Sequence, residues 1–184
     1  MNQLSQLLTN KIKNEKHKFF KTDLANQNYF RTKKAYKELI LDLVSESETV
    51  LIFTLTFNPK FKVGINQAEK DAKHFKNILD KSIYGKSNNK WKNRTPGCLV
   101  LEGNDFGDLG VRTHIHGILG FDIKSVSRSK RLIRQHWRKI RASGFVVDIE
   151  EWDSRDQWIH YLLKDKTKDI PFDDAIAVID RKLH

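Results

Sequence analysis

Residues 50–57, VLIFTLTF, constrain the fold more than any other part of the sequence. The stretch is short and consists mainly of β-branched, leucine and aromatic residues, a composition typical of a buried central strand. Thr54 and Thr56 alternate with large apolar side chains, so we expect the two threonines on the opposite face of the strand from those side chains. Asn58-Pro59 is a turn signal and predicts the end of the strand.

The same periodicity arguments predict the remaining elements. A helical pattern covers residues 1–47; further helices are predicted at 67–82, 126–142 and 155–166, and further strands at 97–103, 111–121 and 145–152. The order β-α-β-β-α-β-α after the N-terminal region predicts an α+β fold, with a central antiparallel sheet of four to five strands flanked by helices in a ferredoxin-like or RRM-like arrangement. We therefore expect a helical N-terminal extension at 1–47 and a sheet domain at 48–184.

The charge of the chain favours a phosphate-rich partner. A net charge of +11 on 184 residues promotes nucleic-acid binding through counterion release; a solubility surface or an anionic membrane surface is the alternative. Apolar runs of about eight residues are too short to span a bilayer, and the first residues lack the apolar segment of a signal peptide. The single cysteine, Cys98, excludes a disulfide framework and a cysteine-based zinc site. We expect a cytoplasmic protein without a membrane partner.

A pair of histidines in RTHIHGIL, residues 112–119, is the first candidate site. His114 and His116 are two residues apart on a predicted strand, so they share a face and can bind one metal ion; two half-buried structural histidines are the alternative. Glu102 ends the strand predicted to pair with this one, which makes it a candidate third ligand or else a surface glutamate. Two histidines and a carboxylate with open positions suit Mn²⁺ or Mg²⁺ better than a closed structural zinc site.

The predicted helix in DQWIHYLLKD, residues 156–165, contains the second candidate site. Positions i, i+3 and i+4 share a helix face, so Tyr161, Lys164 and Asp165 align. In the functional interpretation, Tyr161 is a nucleophile, Lys164 is a cation for a phosphate or phenolate, and Asp165 is a further candidate metal ligand. The alternative is an ordinary amphipathic helix with a packed tyrosine and a solvated Lys-Asp pair.

Basic residues provide candidates for DNA binding. In the helix at 126–142, arginines recur at a spacing of three, four and three, and this continuous stripe is expected to contact phosphates, unless it is a solvated basic face. The loop at 84–97 mixes cations with an aromatic side chain that can stack on a base. Thr54 and Thr56 are added because they are expected to face the site across the sheet. The further candidates are Arg131, Arg134, Arg138, Arg141, Lys90, Trp91, Lys92 and Arg94.

Three short motifs occur in an order that resembles a known superfamily. FTLTF at 53–57, Glu102 with HIHG at 114–117, and YLLK at 161–164 resemble the three motifs of the HUH endonucleases, specifically the single-tyrosine rolling-circle replication initiators. The resemblance covers about residues 50–166. It implies the antiparallel sheet inferred above, a metal site at His114 and His116 completed by Glu102 or Asp165, and Tyr161 as the nucleophile assisted by Lys164.

The resemblance also implies an activity, namely metal-dependent, site- and strand-specific nicking and joining of single-stranded DNA through a 5′-phosphotyrosine intermediate. This reaction would initiate rolling-circle replication of a plasmid, phage or virus in the host cytoplasm or nucleoid. Expected partners are single-stranded or origin hairpin DNA and a host helicase and polymerase, because the P-loop-like stretch at 84–87 lacks the glycine required at position 80. A single-tyrosine transposase and a non-catalytic RRM-like nucleic-acid-binding module are the alternatives.

Overall fold

A computed structural model of the chain describes residues 30–85, 94–103, 113–153, 157–163 and 176–180, except the side chains of residues 145–147 and 180. Contacts divide the chain into two units, Met1–Glu38 and Leu39–His184, and all the strands belong to the second. Helix α1 covers residues 30–44. It is followed by β1 (Thr49–Phe57), α2 (Ile65–Tyr84), β2 (Gly97–Glu102), β3 (His114–Phe121), α3 (Val126–Trp137), β4 (Ser143–Glu151), α4 (Gln157–Leu162) and β5 (Ile176–Asp180).

The strands form one five-stranded sheet in the order β4-β1-β3-β2-β5. Every pair of neighbours is antiparallel, so the predicted α+β fold is confirmed and 50–57 lies in a strand with neighbours on both sides. Strand β5 was not predicted, because it has five residues and is defined by its pairing with β2 rather than by a local pattern. In the part of the chain that the structure describes, no helix is long and apolar enough to cross a membrane.

Two predicted element boundaries need correction. The helix predicted at 126–142 ends at Trp137, because the chain then turns through hydrogen bonds from the amide of residue i to the carbonyl of residue i−3, which place Ile140 in the core. The strand predicted at 111–121 begins at His114, after Thr113, and residues 111 and 112 lie outside the described residues. Residues 1–29 of the predicted N-terminal helix, and both ends of the helix predicted at 155–166, lie outside the described residues.

Alternation along β1 gives the sheet two different faces. The first, which we call the covered face, carries Leu51, Phe53 and Leu55, all fully buried in a core shared with α2 and α3. Aromatic rings form its centre: Phe75 of α2 contacts Phe53 and Trp137 edge-on, with ring centroids 6.4 and 5.8 Å apart. The opposite face, which we call the open face, carries the even-numbered residues of β1 and β3, including both predicted histidines.

Packing on the covered face requires a glycine at position 117, in the HIHG motif. Gly117 is paired with Phe53 across β1 and β3. A Cβ atom at this position would lie 2.3 Å from Cζ of Phe53 and 2.8 Å from Cδ2 of Leu99, closer than van der Waals contact allows. The glycine therefore lets the Phe53 ring lie directly against the backbone of the strand that carries the histidines.

A buried ion pair fixes the start of β2 against α2. Nζ of Lys76, whose side chain is 1% exposed, lies 2.8 Å from Oδ2 of Asp80. Thr95 donates to Oδ1 of Asp80 from its amide at 3.0 Å and from its hydroxyl at 2.7 Å. Asp80 occupies the position where a P-loop would need glycine, and it serves instead as an anchor for the segment that leads into β2.

Candidate active site

Cross-strand pairing brings the candidate residues together on the open face. Thr54 is paired with His116 and Thr56 with His114 across β1 and β3. Glu102 is paired with His114 across β2 and β3. Directly paired residues have Cβ atoms about 5 Å apart, so the sheet places these five side chains in one patch.

His116 is held from both ring nitrogens. The ring is buried, and its Nε2 lies 2.5 Å from Oε2 of Glu102 while its Nδ1 lies 3.0 Å from Oγ1 of Thr54. A carboxylate only accepts hydrogen bonds, so Nε2 donates to Glu102, and in the neutral ring Nδ1 then accepts from the Thr54 hydroxyl. Because a hydroxyl can donate or accept, Thr54 can also support the other tautomer, in which Nε2 is free to bind a metal ion.

Tyr161 reaches the same carboxylate from α4. Its hydroxyl donates to Oε2 of Glu102 at 3.2 Å. Burial, the negative charge of Glu102 and the hydrogen bond to Glu102 raise the pKa of the Tyr161 hydroxyl above its usual value. In this arrangement Tyr161 is protonated and weakly nucleophilic, and a positive charge next to Glu102 would lower the cost of forming the phenolate.

Aromatic packing fixes the direction of the Tyr161 ring. Trp158, one helical turn earlier on α4, stacks on Tyr161 with ring centroids 5.4 Å apart and planes inclined by 26°. The His116 ring meets Tyr161 at 5.1 Å and 85°, and Trp158 at 6.0 Å and 72°. Sequence reasoning missed Trp158, although its i, i+3 spacing from Tyr161 was the available signal.

These side chains border an open pocket with a volume of about 420 Å³. We call it the Tyr161 pocket; it is lined by Thr54, Thr56, Glu102, His114, His116, Asp148 and Tyr161. Asp148 was not predicted. It lies on β4 and is paired with Thr54 on the side away from His116, and only the alternation of FVVDIEE marked it as a residue of the open face.

The donors of the pocket match a metal site in chemistry, but they are not arranged around one point. Among the described side chains, no three from His, Cys, Asp or Glu are placed to hold one ion. The rings of His114 and His116 are 6.2 Å apart at 29°. Two metal bonds of about 2.1 Å at a tetrahedral angle hold their donor atoms about 3.4 Å apart. Nε2 of His116 and Oε2 of Glu102, which are 2.5 Å apart, would therefore have to separate by about 0.9 Å to bind one ion. The pocket therefore contains suitable types of donor for a divalent ion, while the described side chains are not in a coordinating arrangement.

The predicted DNA-binding residues lie in different places. Arg131, Arg134, Arg138 and Arg141 are exposed on or just after α3, which packs on the covered face, so they are on the opposite side of the sheet from the Tyr161 pocket. Arg94 precedes β2 at its Gly97 end, and about 16 Å of strand separates Gly97 from Glu102. The remaining predicted residues lie outside the described part of the chain; they are Lys90, Trp91, Lys92, Lys164 and Asp165.

Comparisons with protein-family models, with curated proteins and with solved structures found no match to this chain.

Proposed function

We propose that this protein nicks and rejoins single-stranded DNA at a specific site and strand, with Tyr161 as the nucleophile and a divalent cation, Mn²⁺ or Mg²⁺, at His114, His116 and Glu102. One observation carries the proposal. Glu102 accepts hydrogen bonds from both Tyr161 and His116 in a single open pocket, and Thr54 bonds the same histidine, so the three parts of the sequence that resemble the HUH motifs meet there. Asp165 stays a predicted rival to Glu102 as the third ligand.

The reaction exchanges one phosphodiester for another. Tyr161 releases its hydroxyl proton to water, and its oxygen forms a bond to the scissile phosphorus while the bond from phosphorus to the 3′ oxygen breaks. The products are a 5′-phosphotyrosine and a 3′ oxygen that takes a proton from water. Rejoining is the reverse attack by a 3′-hydroxyl. Because a phosphoryl ester is made for each one broken, no external energy source is needed.

Each pocket residue has a task in this scheme. A cation at the two histidines and Glu102 would polarise the phosphate and offset the negative charge that holds Tyr161 protonated. Thr54 orients His116 through a hydrogen bond to Nδ1, and Trp158 orients the Tyr161 ring by stacking on it. Lys164 is assigned to the phosphate or the phenolate by the resemblance. The free 3′-hydroxyl would prime synthesis by a host polymerase, after unwinding by a host helicase, in the cytoplasm or nucleoid.

The test is a denaturing gel of the full chain with labelled single-stranded DNA from the origin of its own replicon. With Mn²⁺ we expect a slow band that resists denaturation, and we expect EDTA and Tyr161→Phe each to remove it. Tyr84→Phe is the matched control, because Tyr84 does not line the Tyr161 pocket and burial raises its pKa to about 12.

The gel also separates the alternatives. Strong DNA binding with neither adduct nor cleavage on any origin fragment contradicts the proposal and favours a non-catalytic binding module. An adduct that persists in Tyr161→Phe would support covalent nicking but would exclude Tyr161 as the nucleophile. An adduct formed only on transposon-end DNA would indicate a single-tyrosine transposase that uses the same pocket.

A further inference from the structure

The exposed side of α3 carries basic residues and no acidic ones. Residues 123–147 contain eight lysines and arginines and no aspartate or glutamate, in a chain whose net charge is +11. Helix α2, which packs beside α3 on the same face of the sheet, carries a mixture of charges, and its acidic side chains contact partners within α2, as in the pairs of Glu69 with Lys73 and of Asp71 with Gln67. The basic character therefore belongs to α3 and the turn after it.

The positions of the arginines follow from helix geometry. At about 100° per residue, Arg128, Arg131, Arg134 and Arg138 fall within roughly a third of the helix circumference, and Ser129, Ile133, His136 and Trp137 fall on the other side. The second group is buried and the first is exposed. We call the exposed group the arginine face; Arg141, also exposed, follows in the next turn.

The arginine face is available for a ligand. None of its arginines forms an ion pair with a carboxylate in the part of the chain that the structure describes. A row of guanidinium groups spaced by one helical turn, with rises of about 4.5 and 6 Å, matches a series of phosphates. The other exposed residues between Arg128 and Arg141 are Gln135 and Lys139, and neither has an aromatic ring for stacking on an unpaired base.

We propose that the arginine face is a docking surface for the phosphate backbone of duplex DNA, separate from the Tyr161 pocket and on the opposite side of the sheet. The absence of an exposed aromatic ring on this side of the helix favours a duplex, whose bases are already stacked, over a single strand. The helix layer is about 10 Å thick, so a strand seated in the Tyr161 pocket cannot contact the arginine face within the same few nucleotides. The assignment of this duplex to the origin hairpin rests on the proposed function; the docking surface itself does not.

The test uses the full chain with Tyr161→Phe, so that no cleavage occurs, and measures fluorescence anisotropy. The probes are a labelled DNA duplex of about 20 base pairs with arbitrary sequence, and a (dT) strand of the same length. Since each phosphate contact contributes about 0.9 to the slope of log affinity against log salt, Arg131→Gln/Arg134→Gln/Arg138→Gln should lower the slope for the duplex by about 2.7. The affinity of this variant for the duplex at 0.1 M salt should fall by about five hundredfold, with binding to the (dT) strand changed less than about threefold.

Two control variants make the result specific. Lys60→Gln/Lys70→Gln/Lys81→Gln removes the same charge from exposed positions elsewhere and should change duplex affinity far less. Arg131→Lys/Arg134→Lys/Arg138→Lys keeps the charge and should retain most of the affinity. Thermal unfolding checks that all three triple variants fold.

Three outcomes would overturn the proposal. The first is duplex binding by the triple glutamine variant with unchanged affinity and slope. The second is an equal loss of affinity for the (dT) strand, which would make this a single-strand surface. The third is tighter binding of an RNA duplex with the same sensitivity to the arginines. None of these measurements depends on adduct formation, so failure of the nicking proposal and failure of the docking proposal are distinguishable.

Discussion

The two faces of the sheet use the same strands for different purposes. On the covered face, large apolar side chains of β1 and β3 pack against α2 and α3 without a gap, to the point that Gly117 has no room for a Cβ atom. On the open face, the strand residues around the Tyr161 pocket are polar, several of them are hydrogen-bonded to one another or to Tyr161, and the pocket they border is open, whereas Ile118 further along β3 is fully buried. Around the Tyr161 pocket, therefore, neighbouring strand residues serve either the core or the pocket, so a substitution at Phe53 should affect stability and a substitution at Thr54 should affect chemistry.

The largest effect is expected from Phe53→Ala on the covered face. Removing a fully buried phenylalanine typically lowers the free energy of unfolding by about 3–5 kcal/mol, through lost apolar burial and the cavity left behind. Urea denaturation followed by circular dichroism measures the loss. A loss below about 1 kcal/mol would mean that this face is not the core.

Its neighbour Thr54 should show the opposite behaviour. Thr54→Val keeps the shape but removes the hydroxyl that bonds Nδ1 of His116, and loss of a partner that orients a metal-binding histidine typically costs about 10–100-fold in activity. We expect adduct formation to slow by this factor, with the free energy of unfolding changed by less than about 1 kcal/mol. Thr54→Ser, which keeps the hydroxyl, should be close to wild type. Equal losses in Thr54→Val and Thr54→Ser would reject the hydrogen bond as the cause.

Substitutions at Gly117 test whether contact with the Phe53 ring explains the glycine of the HIHG motif. Gly117→Ala should destabilise the protein by about 1–3 kcal/mol, because the new methyl group overlaps the Phe53 ring. Phe53→Leu should make room, so the double variant should lose less free energy of unfolding than the sum of the two single variants. Additive losses would show that the contact with Phe53 does not explain the glycine.

The smallest effect concerns pH. His136 of α3 is 4% exposed, and neither ring nitrogen has a hydrogen-bond partner in the described part of the chain. Burial, and then the charge of Lys139, lower the pKa of His136 below its usual 6.5. Between that lowered value and 6.5 the unfolded chain binds more protons than the folded chain, so the free energy of unfolding rises with pH. Stability present above 6.5 is lost as pH falls through this window.

The measurement is thermal unfolding of wild type and His136→Gln between about pH 5 and 8, the range in which histidine titrates. The variant should have a flatter dependence than wild type below the usual histidine pKa. Identical profiles would mean that His136 does not titrate differently in the folded protein.

Much of the open face could be predicted from the sequence, because alternation and element order are local properties. The positions of Thr54, Thr56, His114 and His116 on one face follow from a period of two. Asp148 could not be predicted, since its place next to Thr54 depends on β4 pairing with β1, a contact between distant parts of the chain.

The sequence also did not predict the side of the sheet on which α3 packs. The amphipathic pattern of α3 correctly identified an exposed arginine stripe, yet it contained no information about whether that stripe lies beside the histidines or behind them. That depends on how the connections cross the sheet. Because α3 packs on the covered face, the predicted DNA-binding residues form two separate groups, one at the Tyr161 pocket and one on the arginine face.

The pairing of Glu102 with His114 has a practical consequence for protein engineering. The two residues are direct partners in the antiparallel ladder, so their spacing is set by the sheet and not by the length of residues 103–113 that connect them. Doubling a connecting segment costs only about 0.6 kcal/mol in loop entropy. An affinity tag or a fluorescent domain inserted within residues 104–112 should therefore leave this pair of side chains in place.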